Sequence, residues 1–189
     1  MSAGAIFGAV LFATLALAAY CLWAVHHEYE THRKLSMTTV AAAWAFHLLH
    51  GVLTCQAAWS SSWPLPVGRI LSLAAGIALL VQGMGLVLAG AVGLSSFRQL
   101  SGLRDETLVR TGAYRLSRNP LSVGWAMALL GVGALGRSGL AIALVALYWI
   151  TFRVYVTLEE RHLERLHGDD YRRYKTDTPR YLGIPRRPR

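Results

Sequence analysis

Four runs of apolar residues divide the chain. They cover residues 3–25, 37–59, 70–94 and 121–152, and each is long enough to span a lipid bilayer as a helix. The second carries His47, His50 and Gln56 as polar intrusions. The third is rich in glycine, which suits close helix packing in lipid. The fourth is too long for one span, and Gly136-Arg137-Ser138-Gly139 near its middle is a turn signal. It therefore reads as a helical hairpin, with helices near 121–135 and 139–158. The expected fold is all-α: a polytopic membrane protein of about five transmembrane helices. Leu158, His162 and Leu166 then recur at helical spacing. They predict an amphipathic helix over 158–174 that Gly168 caps or kinks. No basic stretch precedes the first apolar run, so it does not read as a signal peptide. The expected division is a three-helix membrane region at 1–96 and a core at 97–189, within one structural domain.

Composition supports this reading and adds a tension. Of the 189 residues 54% are hydrophobic and 15% charged, yet the net charge is +9. Two cysteines, Cys21 and Cys55, both in apolar runs, exclude a disulfide scaffold. The charges are laid out by side. Alternate loops and the tail hold 17 basic residues against 2 on the opposite side, and all ten acids fall with the 17. Lys and Arg favour the cytoplasmic side. The N-terminus is therefore expected outside, with the 95–120 loop and the C-terminal tail in the cytoplasm. The tail mixes ten basic with six acidic residues and carries no nucleic-acid motif. Anionic lipid head groups are the expected partner, with no nucleic acid.

Two cytoplasmic segments hold candidate chemistry. The first, 106–125, is a Gly-containing turn feeding a helix that opens at Asn119-Pro120. Asn suits an N-cap and Pro a first helical position, and a helix start favours an anionic ligand. The second puts Glu159 and Glu160 where the last membrane helix leaves the bilayer. Carboxylates there are explained by a nearby cation or by continuation of the helix into the tail. His47 and His50 share a helix face. They read as haem or metal ligands, as hydrogen-bonded bundle residues, or as the lining of an acceptor cavity. His26, His27 and His32 show no recognised metal spacing and read as an interfacial cluster, so no metal site is expected.

The segments at 107–124 and 159–174 resemble the integral-membrane methyltransferases related to isoprenylcysteine carboxyl methyltransferase and the phospholipid methyltransferases. The matching residues are Thr107-Leu108-Val109, Gly112 and Tyr114, then Arg118 and Pro120 to Gly124, then Glu159-Glu160, Leu163, Gly168, Tyr171 and Tyr174. The resemblance covers about residues 97–180. Asn119 replaces the family's His, Ser122 its Tyr, and Tyr155 stands where the family has an Arg. The resemblance implies S-adenosylmethionine as cofactor, held by Gln99, Glu106, Thr107, Leu108, Val109, Tyr114, Asn119, Pro120, Leu121, Ser122 and Glu159. It implies methyl transfer to a lipophilic acceptor, first an isoprenylcysteine-like carboxylate held by Arg153, the nearest arginine. Phospholipid amines, small thiols, or a non-catalytic binding role on the same fold are the alternatives. For an amine or thiol, Glu160, His162 or water would take the proton.

Overall fold

A computed structural model describes residues 3–94 and 108–185. Among them the secondary structure is helical, with no strand beyond one isolated bridge, between Pro64 and Ser138. The helices are α1 (Ala3–Thr31), α2 (Met37–Trp59), α3 (Arg69–Val92), α4 (Pro120–Leu135), α5 (Gly139–His167) and α6 (Asp169–Asp177). A short 3-10 turn, Gly112–Arg115, precedes α4. Four of the helices, α1, α2, α3 and α5, are long and apolar enough to cross a membrane. The fifth expected span, α4, has 16 residues, or about 24 Å of helix. It starts at Pro120 and so gains nothing from Arg118 and Asn119. The protein is an all-α polytopic membrane protein.

Helix α5 corrects one boundary. The sequence ends it near 158 and starts a separate tail helix. The structure continues it to His167, because no residue before Gly168 breaks the helical pattern. Gly168, at φ 53°, then turns the chain into α6. A positive φ is open to glycine at little steric cost.

The ends of the helices are tied across the bundle. Glu28 of α1 accepts hydrogen bonds from the Ser36 N–H (2.7 Å), the Ser36 hydroxyl (2.6 Å) and the Thr39 hydroxyl (2.7 Å). Ser36 in turn caps α2 by accepting from the Thr39 N–H. Glu28 is thus part of a helix cap. At the opposite end Ser138 caps α5 through the Ala141 N–H and donates to the Ser62 carbonyl. The Leu65 N–H bonds the Arg137 carbonyl, joining the α2–α3 loop to the hairpin turn.

Helix α3 leans on α4 through small residues. Its buried positions are Ser72, Gly76, Gly83 and Gly90, while Ile70, Leu71, Ile77, Val81, Leu88 and Val92 are exposed as lipid-facing surface. A Cβ on Gly83 would stand 2.6 Å from the Gly124 carbonyl oxygen, and one on Gly131 2.6 Å from the Leu80 nitrogen. The two backbones are therefore in direct contact. In lipid, where apolar association gains little from the hydrophobic effect, such close packing is a main source of helix affinity. Toward the centre, Phe46 of α2 and Tyr148 and Phe152 of α5 form a buried aromatic column.

Candidate active site

Adjacent helical residues point about 100° apart. Glu159 and Glu160 therefore cannot do the same job. Glu160 is buried and holds two arginines. It accepts from Arg118 Nη2 at 2.7 Å, and the Nε and Nη2 of Arg180 straddle its two oxygens. Arg118 also donates to the Lys175 carbonyl (2.9 Å) and the Thr178 carbonyl (3.2 Å). Its own N–H reaches the Pro179 carbonyl, and Gly183 N–H reaches Leu116. The Tyr174 hydroxyl donates to the Tyr114 carbonyl at 2.7 Å. Residues 175–183 thus form a strap across 114–119, pinned at its centre by Glu160. Both oxygens of Glu160 are committed to this brace. That leaves it poorly placed for the proton-accepting role the sequence offered it.

Asn119 does not cap α4. Its backbone sits at φ −133°, ψ 53°, and its side-chain amide donates to the Arg180 carbonyl at 2.9 Å. The first N–H groups of α4 are thus left uncapped by any side chain.

Against the segment that the strap holds lies a cavity of about 490 Å³, within the usual range for small-molecule sites. One end is polar. Glu159, Tyr114, Arg118, Asn119, Ser122, Tyr171 and Tyr174 line it, with Pro120, Leu121, Leu108 and Val109. The other end runs between α1, α2 and α4, where Ala18, Leu22, Phe46, Leu48 and Trp125 make it apolar. Burial, reinforced by the carboxylate of Glu159, pushes the Tyr114 phenol above its ordinary range. Burial, together with Glu160 and Glu159, does the same to Tyr171. Both stay neutral donors at physiological pH.

The structure gathers most of the sequence candidates. Leu108, Val109, Tyr114, Asn119, Pro120, Leu121, Ser122, Glu159 and Glu160 all line this cavity. Gln99, Glu106 and Thr107 lie outside the described residues. Arg153 is not among the lining residues; it is on the exposed side of α5. The reason is helical register: Phe152 and Tyr155 take the inward positions. His162 is buried against Tyr29 of α1, with parallel rings 4.0 Å apart, and is not a lining residue either. Sequence reasoning missed Arg180 as the second cation on Glu160. It also gave no role to Tyr148, whose hydroxyl lies beside Ser122. Of the two membrane histidines, His47 lines the cavity, while His50 is buried with its Nε2 on the Leu144 carbonyl. Among the described residues, no group of three or more His, Cys, Asp or Glu could hold a metal ion.

The Tyr174 bond can be tested by itself. Tyr174→Phe should lower stability by about 1 kcal/mol, the usual net worth of a hydrogen bond. Thermal unfolding in detergent reads this directly, and an unchanged midpoint would show that the bond contributes nothing.

Comparison with known proteins places this arrangement. A family model described as phospholipid methyltransferase matches residues 71–170. The chain is 29% identical over 137 residues to the cobalt-zinc-cadmium resistance protein CzcN of Cupriavidus metallidurans, which covers 71% of this chain and 58% of that protein. It is 27% identical over 136 residues to the nickel-cobalt-cadmium resistance protein NccN of Alcaligenes xylosoxydans xylosoxydans, covering 71% and 59%. The match thus spans under two thirds of these relatives' length. No solved structure matches.

Proposed function

The chain belongs to the phospholipid methyltransferase family, and from that premise we propose that it transfers a methyl group from S-adenosylmethionine to a lipophilic acceptor. The observation that carries this reading is the cavity with two unlike ends, meeting at Asn119–Ser122. The cofactor has one carboxylate and one ammonium at its amino-acid end. The uncapped start of α4 suits the carboxylate, since free N–H groups there attract an anion. Glu159 suits the ammonium or the sulfonium. Leu108, Val109 and Tyr114 would flank the adenosine, with Gln99, Glu106 and Thr107 completing that side.

When bound, the cofactor supplies an electrophilic methyl group. The protein's part is alignment and exclusion of water. The strap holds Arg118 and Asn119 in the wall of the polar end, and Phe46, Trp125 and Tyr148 keep the embedded end dry. An apolar acceptor enters that end from the bilayer. A carboxylate head group would need a cation there. Arg153 faces away, and Arg118 is taken up by Glu160 and backbone carbonyls. A neutral head group on an apolar body fits this cavity better than the isoprenylcysteine-like carboxylate.

The asymmetry of charge supports a cytoplasmic strap and cofactor entrance, with the N-terminus outside. Exposed Arg161, Arg165, Arg172 and Arg173 on that side suit anionic head groups.

Calorimetric titration of S-adenosylmethionine into the protein in lipid nanodiscs tests the reading. Saturable binding is expected, and its absence in well-folded protein would end the proposal. Glu159→Gln should weaken that binding by about tenfold or more, the range for losing a charge-assisted contact. Wild-type affinity in this variant would remove Glu159 from the site.

A further inference from the structure

We propose that His47 takes the proton from the methyl acceptor, and that the acceptor is a lipophilic thiol. This rests on the methyl-transfer reading above. His47 Nδ1 lies 2.7 Å from the Ala43 carbonyl oxygen of its own helix. A carbonyl only accepts, so in the neutral ring the hydrogen is on Nδ1. Nε2 then carries a lone pair, on the ring edge turned away from the α2 backbone. His47 lines the cavity, and beside it stand Trp125 (ring centroids 6.5 Å apart) and Tyr148 (5.7 Å). The Trp125 Nε1–H is buried without a hydrogen-bond partner, the Tyr148 hydroxyl is buried with only Ser122 beside it, and both residues line the same cavity. Buried polar atoms are rarely left unpaired, and each such exception asks for an explanation. Here a base, a donor and a donor–acceptor lie together, about one helical turn beyond Ser122 along α4. That is where an acceptor's reactive atom would meet the polar end.

The surroundings select the head group. Neither α2 nor α4 carries a Lys, Arg, Asp or Glu. The ionisable groups around His47 are His50 on its own helix, Tyr148 on α5 and Cys21 on α1. A carboxylate or an ammonium would enter this region as an unpaired charge, which is costly. A thiol enters neutral, and its sulfur makes favourable contacts with aromatic rings. It is also the easier acid. Reference values are about 8.5 for a thiol and about 10.4 for an alkylammonium, against about 6.5 for imidazole.

The step balances. The acceptor's S–H bond breaks and its proton passes to His47 Nε2. The acceptor's sulfur forms the new S–CH₃ bond, and the electron pair of the broken C–S bond stays on the donor's sulfur. The imidazolium then returns its proton to water through the polar end.

The test uses the full chain in nanodiscs with S-adenosylmethionine and four acceptors of equal chain length: an alkanethiol, a fluorinated alkanethiol of lower pKa, an alkylamine and a fatty acid. Wild type, His47→Gln and His47→Asn are compared. Both variants keep an amide N–H that can reach Ala43, and cofactor affinity by calorimetry reports that they remain folded. The alkanethiol should be the preferred acceptor. Its turnover should fall about 10²-fold in both variants, the usual worth of a general base, with cofactor affinity unchanged. The loss should shrink for the fluorinated thiol, which gives up its proton more readily and so depends less on a base. Equal losses for the two thiols, or wild-type turnover in either variant, would overturn the role of His47. Preference for the amine or the acid would overturn the thiol. Absence of cofactor binding in wild type would instead strike the methyl-transfer reading itself.

Discussion

Glu160→Ala should lower stability by about 3–5 kcal/mol and abolish cofactor binding. The side chains of Glu160 and Arg118 are 5% and 8% exposed. Removing the carboxylate leaves the Arg118 guanidinium buried without its counter-charge. Its Nε already lacks a partner, so the loss adds to an existing deficit. Breaking a buried pair by deleting one member is costly for this reason, whatever the net worth of the intact pair. The damage also spreads. Arg118 and Arg180 are the two cations through which Glu160 holds the strap, and the strap carries carbonyls that Arg118 and Asn119 use. Once it lifts, Asn119 is released beside the start of α4. The thermal midpoint in detergent should drop by about 10 °C, taking about 2–4 °C per kcal/mol for a chain of this size. Proteolysis near 175–183 should accelerate together with loss of S-adenosylmethionine binding. Glu160→Gln keeps acceptor capacity on one oxygen and should lie between the two. A variant with wild-type midpoint and intact strap would show that the brace is dispensable.

Gly124→Val is the second large effect, expected at about 3 kcal/mol or more. Its Cβ would stand 2.6 Å from the Gly83 carbonyl oxygen and 2.8 Å from the Val87 nitrogen. Both are backbone atoms, so no side chain can rotate out of the way. The helices must separate, and a long stretch of contact from Gly76 to Gly90 loosens with them. Gly85, facing open space on the same helix, is the control. Gly85→Val should be nearly silent apart from helix propensity. Apparent unfolding midpoints of the two variants decide the matter, and similar midpoints would refute the seam.

The helices were legible because lipid imposes long apolar runs. The α4–α5 hairpin was legible from Gly136 to Gly139, where glycines flank an arginine in otherwise unbroken apolar sequence. The site was half legible. The paired motifs named the right wall of the cavity, including Glu159 and Asn119–Ser122. They could not say which of Glu159 and Glu160 would be held by arginines, since that depends on the rotation of α5 within the bundle and on Arg180, far along the chain. Helix rotation also decides that Arg153 is exposed and does not line the cavity. The strap was invisible because it is held mostly by backbone carbonyls, which every residue has. The Glu28 cap on α2 was invisible because it joins side chains of separate helices through a loop turn.

The strap also sets an order of assembly. Residues 175–183 are made after every membrane helix, yet they hold Leu116, Arg118 and Asn119 in place. During synthesis α4 can insert and pair with α3 while Arg118 still has no carboxylate. Glu160 arrives only with the far end of α5, and Arg180 later still, after Gly168 has turned the chain back. The membrane bundle is therefore built first, and the brace that holds residues 114–119 closes last.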